Sequence, residues 1–293
     1  MKSHSSGLYR ASMFSLGAWL AQVLPLRMTR VLAGIAGLLY AWSHPARVKV
    51  VHRNLRLLDR TLPVKSARRV YREFGMTLAD YFFIGTRPGA EATRLISKVT
   101  GQQHLEAARR GGKGALVVTA HFGLFELGGL LMAQHGFSSA VLTYPEPSNA
   151  LTDWRAAFRG RWHTDTIEVG VDSFAFLEIA EQLRRGDFIA TLVDRPHPTE
   201  KIPVCLPHGM VHFSTGILLL AAHCECPVLP AIMARQADGS YHSEVFAPLL
   251  IKDRGSRAET LHFYSQQIAD ILLPALCAHP EQWYQFVPLS SAV

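Results

Sequence analysis

His121 and Glu126 stand five positions apart in "TAHFGLFELGG", and no other ionisable side chain occurs from Gly114 to Gln134. An imidazole with one nitrogen held by a carboxylate has a fixed tautomer and a free second nitrogen, which is the equipment of a general base. The spacing alone is unspecific. With 14 His and 23 acids in 293 residues, about one His-x4-acid pair is expected by chance. A second pair, His163 with Glu168, lies in the polar stretch "RWHTDTIEVG" and reads as a solvated loop. Context separates them, because His121 directly follows "GALVVTA", a buried strand by composition. On one continuous helix the two residues would lie about 140° apart. A His on a strand-to-helix turn, with Glu126 one turn into the helix, lets the carboxylate reach back to the ring. No G-x-S-x-G elbow is present, and no Ser or Cys adjoins the pair. A base without an enzyme nucleophile suits attack by a substrate hydroxyl on an activated carbonyl, such as an acyl thioester. The residues alone equally allow a His–Glu pair that only stabilises the start of a helix.

The elements that would position the pair alternate. After a helix over "PVKSARRVYREFGMTLADYFF", with Val70, Phe74, Leu78 and Phe82 as its apolar stripe, the chain runs through helical and β-rich segments in turn. The stripe is read as core-facing, with a lipid-lining wall as the alternative. Strands are predicted in "GALVVTA", "SAVLTY", "FIATLV", "PVLPAIMA" and "YHSEVF". Helices are predicted in "GQQHLEAARRGG", "GLFELGGLLMAQHG", "DSFAFLEIAEQLRRG" with an Asp-Ser start, "STGILLLAAHC" and "RAETLHFYSQQIADILLPALC". This alternation predicts an α/β fold, a layered, largely parallel sheet with flanking helices, and puts His121 at a strand's C-terminal end, where such sheets bind ligands.

Charge is distributed unevenly. Residues 1–72 carry 13 Lys and Arg against one acid, +12, and the rest carries 17 against 22, −5, within a net +7. Basic residues interleaved with Leu, Trp, Val and Ile suit an anionic membrane surface better than nucleic acid. The apolar runs 11–26 and 31–42 fall short of the roughly 20 residues of a spanning helix, and Pro25 breaks the first. Residues 1–47 therefore read as an N-terminal membrane-associated helical anchor, not a cleaved signal, and 48–293 as one catalytic domain. A tilted single span is the second choice. On this reading truncation before Val48 releases a folded unit. The four Cys have no disulfide spacing, and Cys224 and Cys226 read as buried and inert. His208 and His212 in "HGMVH", with "HCEC", are a weak metal pattern, and the segment reads as a loop.

Several blocks resemble, in order, the bacterial late acyltransferases of lipid A biosynthesis (lauroyl and myristoyl transferases) and the related phosphatidylinositol mannoside acyltransferases. "VVTAHFGLFELGG" is similar to their His-x4-acid block and "HRNLRLL" to their early Asn-Leu block. "TLVDRPHPTEKIPVCLPHG" is similar to their Asp-Arg turn, "STGILLLAAHCECPVLPAI" to their Gly-containing helix and Val-Pro strand, and "HPEQW" to their closing motif. The resemblance covers about residues 12–284. It implies a glycerolipid acyltransferase-like fold, His121 as general base, Glu126 as its orienting acid, and Arg161 and Asp194 as substrate-binding residues. Asp194 has loop-tying as its plainer role. The resemblance further implies a fatty acyl donor on acyl carrier protein or coenzyme A as co-substrate, a lipid or glycolipid acceptor, no metal or other cofactor, and a place on the cytoplasmic face of the bacterial inner membrane. Leu124 and Phe125 replace the common Asn-Trp, "VCLPHG" lacks the usual aromatic pair, and "YQFVPLSSAV" lacks the usual basic-aromatic ending, which bears on which acceptor is used. The rival from another class is a catalytically silent lipid-binding or scaffold protein of the same fold.

Overall fold

The computed structural model describes residues 11–144, 149–169, 175–197 and 200–289. Four helices come first: α1 (Ala11–Val23), α2 (Leu26–Ser43), α3 (Pro45–Leu55) and α4 (Val64–Thr86). Pro25 separates α1 from α2, as its missing N–H requires at a helix start. A short α5 (Gly89–Ala92) leads into the alternating part: β1 (Ile96–Thr100), α6 (Gln102–Gly111), β2 (Ala115–Thr119), α7 (Glu126–Gln134), β3 (Ser139–Thr143), α8 (Asn149–Gly160), β4 (Thr164–Glu168), α9 (Ala175–Arg184) and β5 (Phe188–Leu192). A hairpin follows, β6 (Lys201–Leu206) and β7 (Gly209–Ser214), then α10 (Gly216–Cys224), β8 (Val228–Arg235), β9 (Tyr241–Val245) and α11 (Arg257–Ala278).

Among the described residues the main sheet has seven strands in the order β1-β9-β8-β2-β5-β3-β4. Every neighbouring pair is parallel except β8–β9. The layered α/β architecture is as expected, and all five predicted strands are present. Residues 115–118 of β2 are buried on both faces, as a central parallel strand covered by two helical layers must be. The Asp-Ser start predicted for α9 falls outside the described residues.

Three segments differ from expectation. "HTDTIEV" forms β4 rather than a loop; as the sheet's edge it carries exposed Asp165 between buried Thr164 and Ile167, which breaks the period-2 pattern and weakens its apolar signature. β1, with "ISKVT", is the opposite edge. "HGMVH" lies on the β6–β7 hairpin, not on a free loop: His208 is in the turn and donates its N–H to the Leu57 carbonyl, 3.0 Å, and His212 is paired with Pro203. Among the described residues no group of three His, Cys, Asp or Glu is placed to hold a metal ion. Cys224 and Cys226 are buried, and Cys205 and Cys277 are exposed, all free.

The N-terminal helices are packed into the rest of the molecule. α2 lies against α4 so closely that a Cβ on Gly75 would overlap the carbonyl of Ala33. Arg30 of α2 reaches across, its Nε 2.5 Å from Asp80 Oδ1 on α4 and its Nη2 donating to the Gly239 carbonyl at 2.7 Å. Asp80 is fully buried and also accepts from Tyr241 Oη, 2.7 Å. Burial pushes its carboxyl up in pKa, against the pull of Arg30. The boundary at residue 47 is therefore not a packing boundary, and removing 1–47 would strip α4 of its partner. Arg30→Met is expected to destabilise the fold by about 3 kcal/mol, because it leaves the Asp80 carboxylate short of its nearest cation. Denaturant titration of the variant measures this, and an unchanged midpoint would show that Arg235 and Tyr241 suffice.

The outer side of these helices is apolar. Met28, Val31, Ile35, Leu39 and Trp42 are exposed along one face of α2, joined by Trp19 and Val23 of α1, while Leu16 and Leu32, exposed as well, also line the cavity described below. Within the apolar runs Trp19, Leu39 and Trp42 are exposed, Leu38 is half-buried and Leu20 lines the same cavity. No described helix is long and apolar enough to cross a membrane.

Candidate active site

β2 and β5 are adjacent and parallel, with Thr119 opposite Leu192. His121 and Asp194 each follow their strand by two residues, so the register alone delivers them to the same point on the carboxyl edge. Their contact is direct: His121 Nδ1 lies 2.7 Å from Asp194 Oδ1, and the His121 backbone N–H donates to both carboxylate oxygens at 3.1 and 3.0 Å. The turn after β2 is tight. Gly123, at φ +56, is pressed against the Met233 carbonyl, where a Cβ would overlap it. The C-terminal segment crosses the same turn: Tyr284 N–H donates to the His121 carbonyl, 2.8 Å, and Gly123 N–H to that of Gln282, 3.1 Å.

Asp194 is 2 % exposed and also accepts from Trp283 Nε1, 3.0 Å, and Gln285 Nε2, 2.5 Å. Burial would raise its carboxyl, yet His121, Arg195 and the Trp283 donor outweigh that and hold it at about 2. An ionised carboxylate only accepts, so the ring proton sits on Nδ1 and Nε2 carries the lone pair. For His121 itself, burial depresses the pKa, Asp194 opposes this, and Arg195 and Arg155 add to it; the balance lies below the ordinary imidazole value. The ring is neutral at pH 7 and available as a base.

The Glu126 carboxylate is bound to an arginine rather than to the His121 ring. Glu126 is the first residue of α7 and faces α8, where Arg159 Nε and Nη2 donate to its two oxygens at 3.0 and 2.6 Å. Both side chains are buried, and the Glu126 carboxyl is held low: burial would raise it, and Arg159 and then Arg155 overcome that. Phe125, edge-on to the imidazole with centroids 5.9 Å apart, stands beside the ring on the α7 side. The carboxylate that meets the His121 ring in this structure is that of Asp194, while Glu126 pairs α7 with α8 through Arg159.

Arg161 is not among the residues lining the cavity described below. It is exposed and donates to the Gly85 carbonyl at the end of α4. The arginines at the site are Arg155 and Arg159, one turn apart on α8, and Arg195 after β5. The i, i+4 pairing of Arg155 with Arg159 was the available signal. Asp194 is not among the residues lining the cavity; it sits behind His121.

His121 opens onto a cavity of about 900 Å³. One side is apolar, built from Leu16 and Leu20 of α1, Leu32 and Ala36 of α2, and Phe74, Leu78 and Phe82 of α4. Three of the four stripe residues of α4 thus form a cavity wall, while Val70 is in the core. The other side holds His121, Glu126 and the three arginines. An apolar wall facing a few convergent polar groups is the form of a site for an amphiphile.

Comparison with known proteins gives the family. The chain is similar to the lipid A biosynthesis lauroyltransferase of Escherichia coli (strain K12), 23% identical over 273 residues, covering 90% of this chain and 86% of that protein. The family model for bacterial lipid A biosynthesis acyltransferases matches residues 3–289, nearly the whole chain. The protein therefore belongs to the bacterial lipid A biosynthesis acyltransferase family, whose members transfer acyl groups.

Proposed function

We propose that the protein moves a fatty acyl group from an acyl thioester, on acyl carrier protein or coenzyme A, to a hydroxyl of a lipid A precursor or a related glycolipid. The observation that carries this reading is the Asp194–His121 pair at the edge of a cavity with one apolar wall. His121 Nε2 takes the acceptor's proton as its oxygen attacks the thioester carbonyl carbon. The tetrahedral adduct then expels the thiolate, which receives that proton from the imidazolium, giving an ester and a free thiol. Arg155 or Arg195, both on the cavity wall, supplies positive charge near the developing oxyanion. The acyl chain lies along α1, α2 and α4. No metal is needed for any step. The test is to supply radiolabelled acyl carrier protein and coenzyme A thioesters with total bacterial lipid. Label is expected in a lipid A-type glycolipid, and label in no lipid from either donor would refute the reading.

The same reading places the protein on the cytoplasmic face of the bacterial inner membrane. It is supported by the exposed apolar face of α1 and α2 and by the basic first 72 residues. Attraction to anionic lipid weakens with salt, whereas burial of apolar side chains, at about 25 cal/mol per Å², does not. In vesicle flotation the full-length protein should remain bound to anionic liposomes at about 1 M salt, well into the screened regime. Quantitative release by salt alone would show that the apolar face does not insert.

A further inference from the structure

We propose that Trp283 and Gln285 are positioning residues that set how firmly Asp194 holds the His121 imidazole. After α11 the chain places successive side chains on opposite sides of the cavity wall, with the Gln285 N–H closing a tight turn onto the Trp283 carbonyl, 3.0 Å. Tyr284 and Phe286 line the cavity, while Trp283 and Gln285, each 1 % exposed, lie behind it against Asp194. Neither therefore touches substrate. Both donate to Asp194 Oδ2, leaving Oδ1 for the imidazole Nδ1. The Gln285 amide has one possible orientation, because its Oε1 accepts from Arg195 Nε at 3.0 Å and an arginine only donates. Asn54 of α3 fastens the segment by donating to the Gln285 and Val287 carbonyls, 2.9 and 2.7 Å.

Two neutral donors on Oδ2 draw negative charge away from the side of the carboxylate that faces the ring. Losing one strengthens the attraction for an imidazolium, so His121 should protonate at higher pH. The other charged or titratable groups facing the pair are Arg195 after β5, Arg155 of α8, the Glu126–Arg159 ion pair of α7 and α8, and Tyr284. Burial pushes the Tyr284 hydroxyl far up, so it stays neutral.

This inference rests on His121 being the base, and its test is read without turnover as well as with it. In full-length protein, Trp283→Phe and Gln285→Met keep the bulk of each side chain and remove its donor. NMR titration of the His121 ring should move up by about half a pH unit or more in each. The acid limb of kcat/KM should move with it, kcat should fall several-fold, and KM should stay within about twofold, since neither residue meets substrate. In the unmodified protein the Trp283 indole proton should titrate with the same midpoint as the ring. An indole resonance indifferent to that titration overturns the proposal even where both variants fail to fold. So does an unshifted ring titration in a folded variant, or a raised KM with unchanged kcat. Shifted titrations without acyl transfer in any form of the protein would instead count against the catalytic reading.

Discussion

His121→Ala should abolish acyl transfer while the protein stays folded. Loss of a general base removes about 10² to 10⁴ in rate, or roughly 3 to 5 kcal/mol of barrier. The ring is partly exposed to the cavity and its side chain carries a part-buried hydrogen bond, to Asp194, so the structural cost is modest beside the chemical one. The pH dependence has a definite sign. The base must be neutral to act, and its pKa lies below the ordinary value, so activity should persist on acidification past the point where an unperturbed histidine is half protonated. An acid limb centred above the ordinary imidazole value would mean that another group titrates.

Asp194→Asn should cost nearly as much in kcat, about 10² or more, because an amide can present its NH₂ to Nδ1 and stabilise the wrong tautomer. Glu126→Gln should behave differently. It leaves the His121–Asp194 contact in place but takes the charge from the partner of buried Arg159, so its first effect is on stability, about 3 kcal/mol. Measuring kcat and denaturation midpoints for both variants separates the two carboxylates. If Glu126→Gln removes catalysis at full stability while Asp194→Asn is nearly silent, Glu126 is the working partner and the pairing described here is wrong.

The strands carrying these residues were legible, because "ALVVT" and "FIATL" are compact, β-rich runs. Both His121 and Asp194 could be placed just past a strand end. Their adjacency could not, since β3 and β4 come between β2 and β5 in the chain while β5 sits directly beside β2 in the sheet. Sequence proximity favoured Glu126, which the start of α7 turns toward α8. The arginines that reach the cavity from α8 were legible only as the i, i+4 pairing of Arg155 with Arg159. The edge strands β1 and β4 carry Lys98 and Asp165 on solvated positions, which dilutes the apolar pattern that marked the central strands. The double role of α2, packed by Gly34 and Ala41 on one side and bare on the other, is invisible in a run that is apolar all round.

The central claim is that the acyl group passes directly from thioester to a lipid hydroxyl under the action of His121. The most direct measurement is a single turnover with acyl-labelled thioester, following released thiol, labelled lipid and intact protein mass together. Thiol should appear only when acceptor is present and in equal amount to labelled lipid. The protein mass should stay unmodified, and both products should vanish in His121→Ala. Thiol release with donor alone and the acyl group retained on Cys205 or a serine, or labelled lipid formed by His121→Ala at the wild-type rate, would contradict the account.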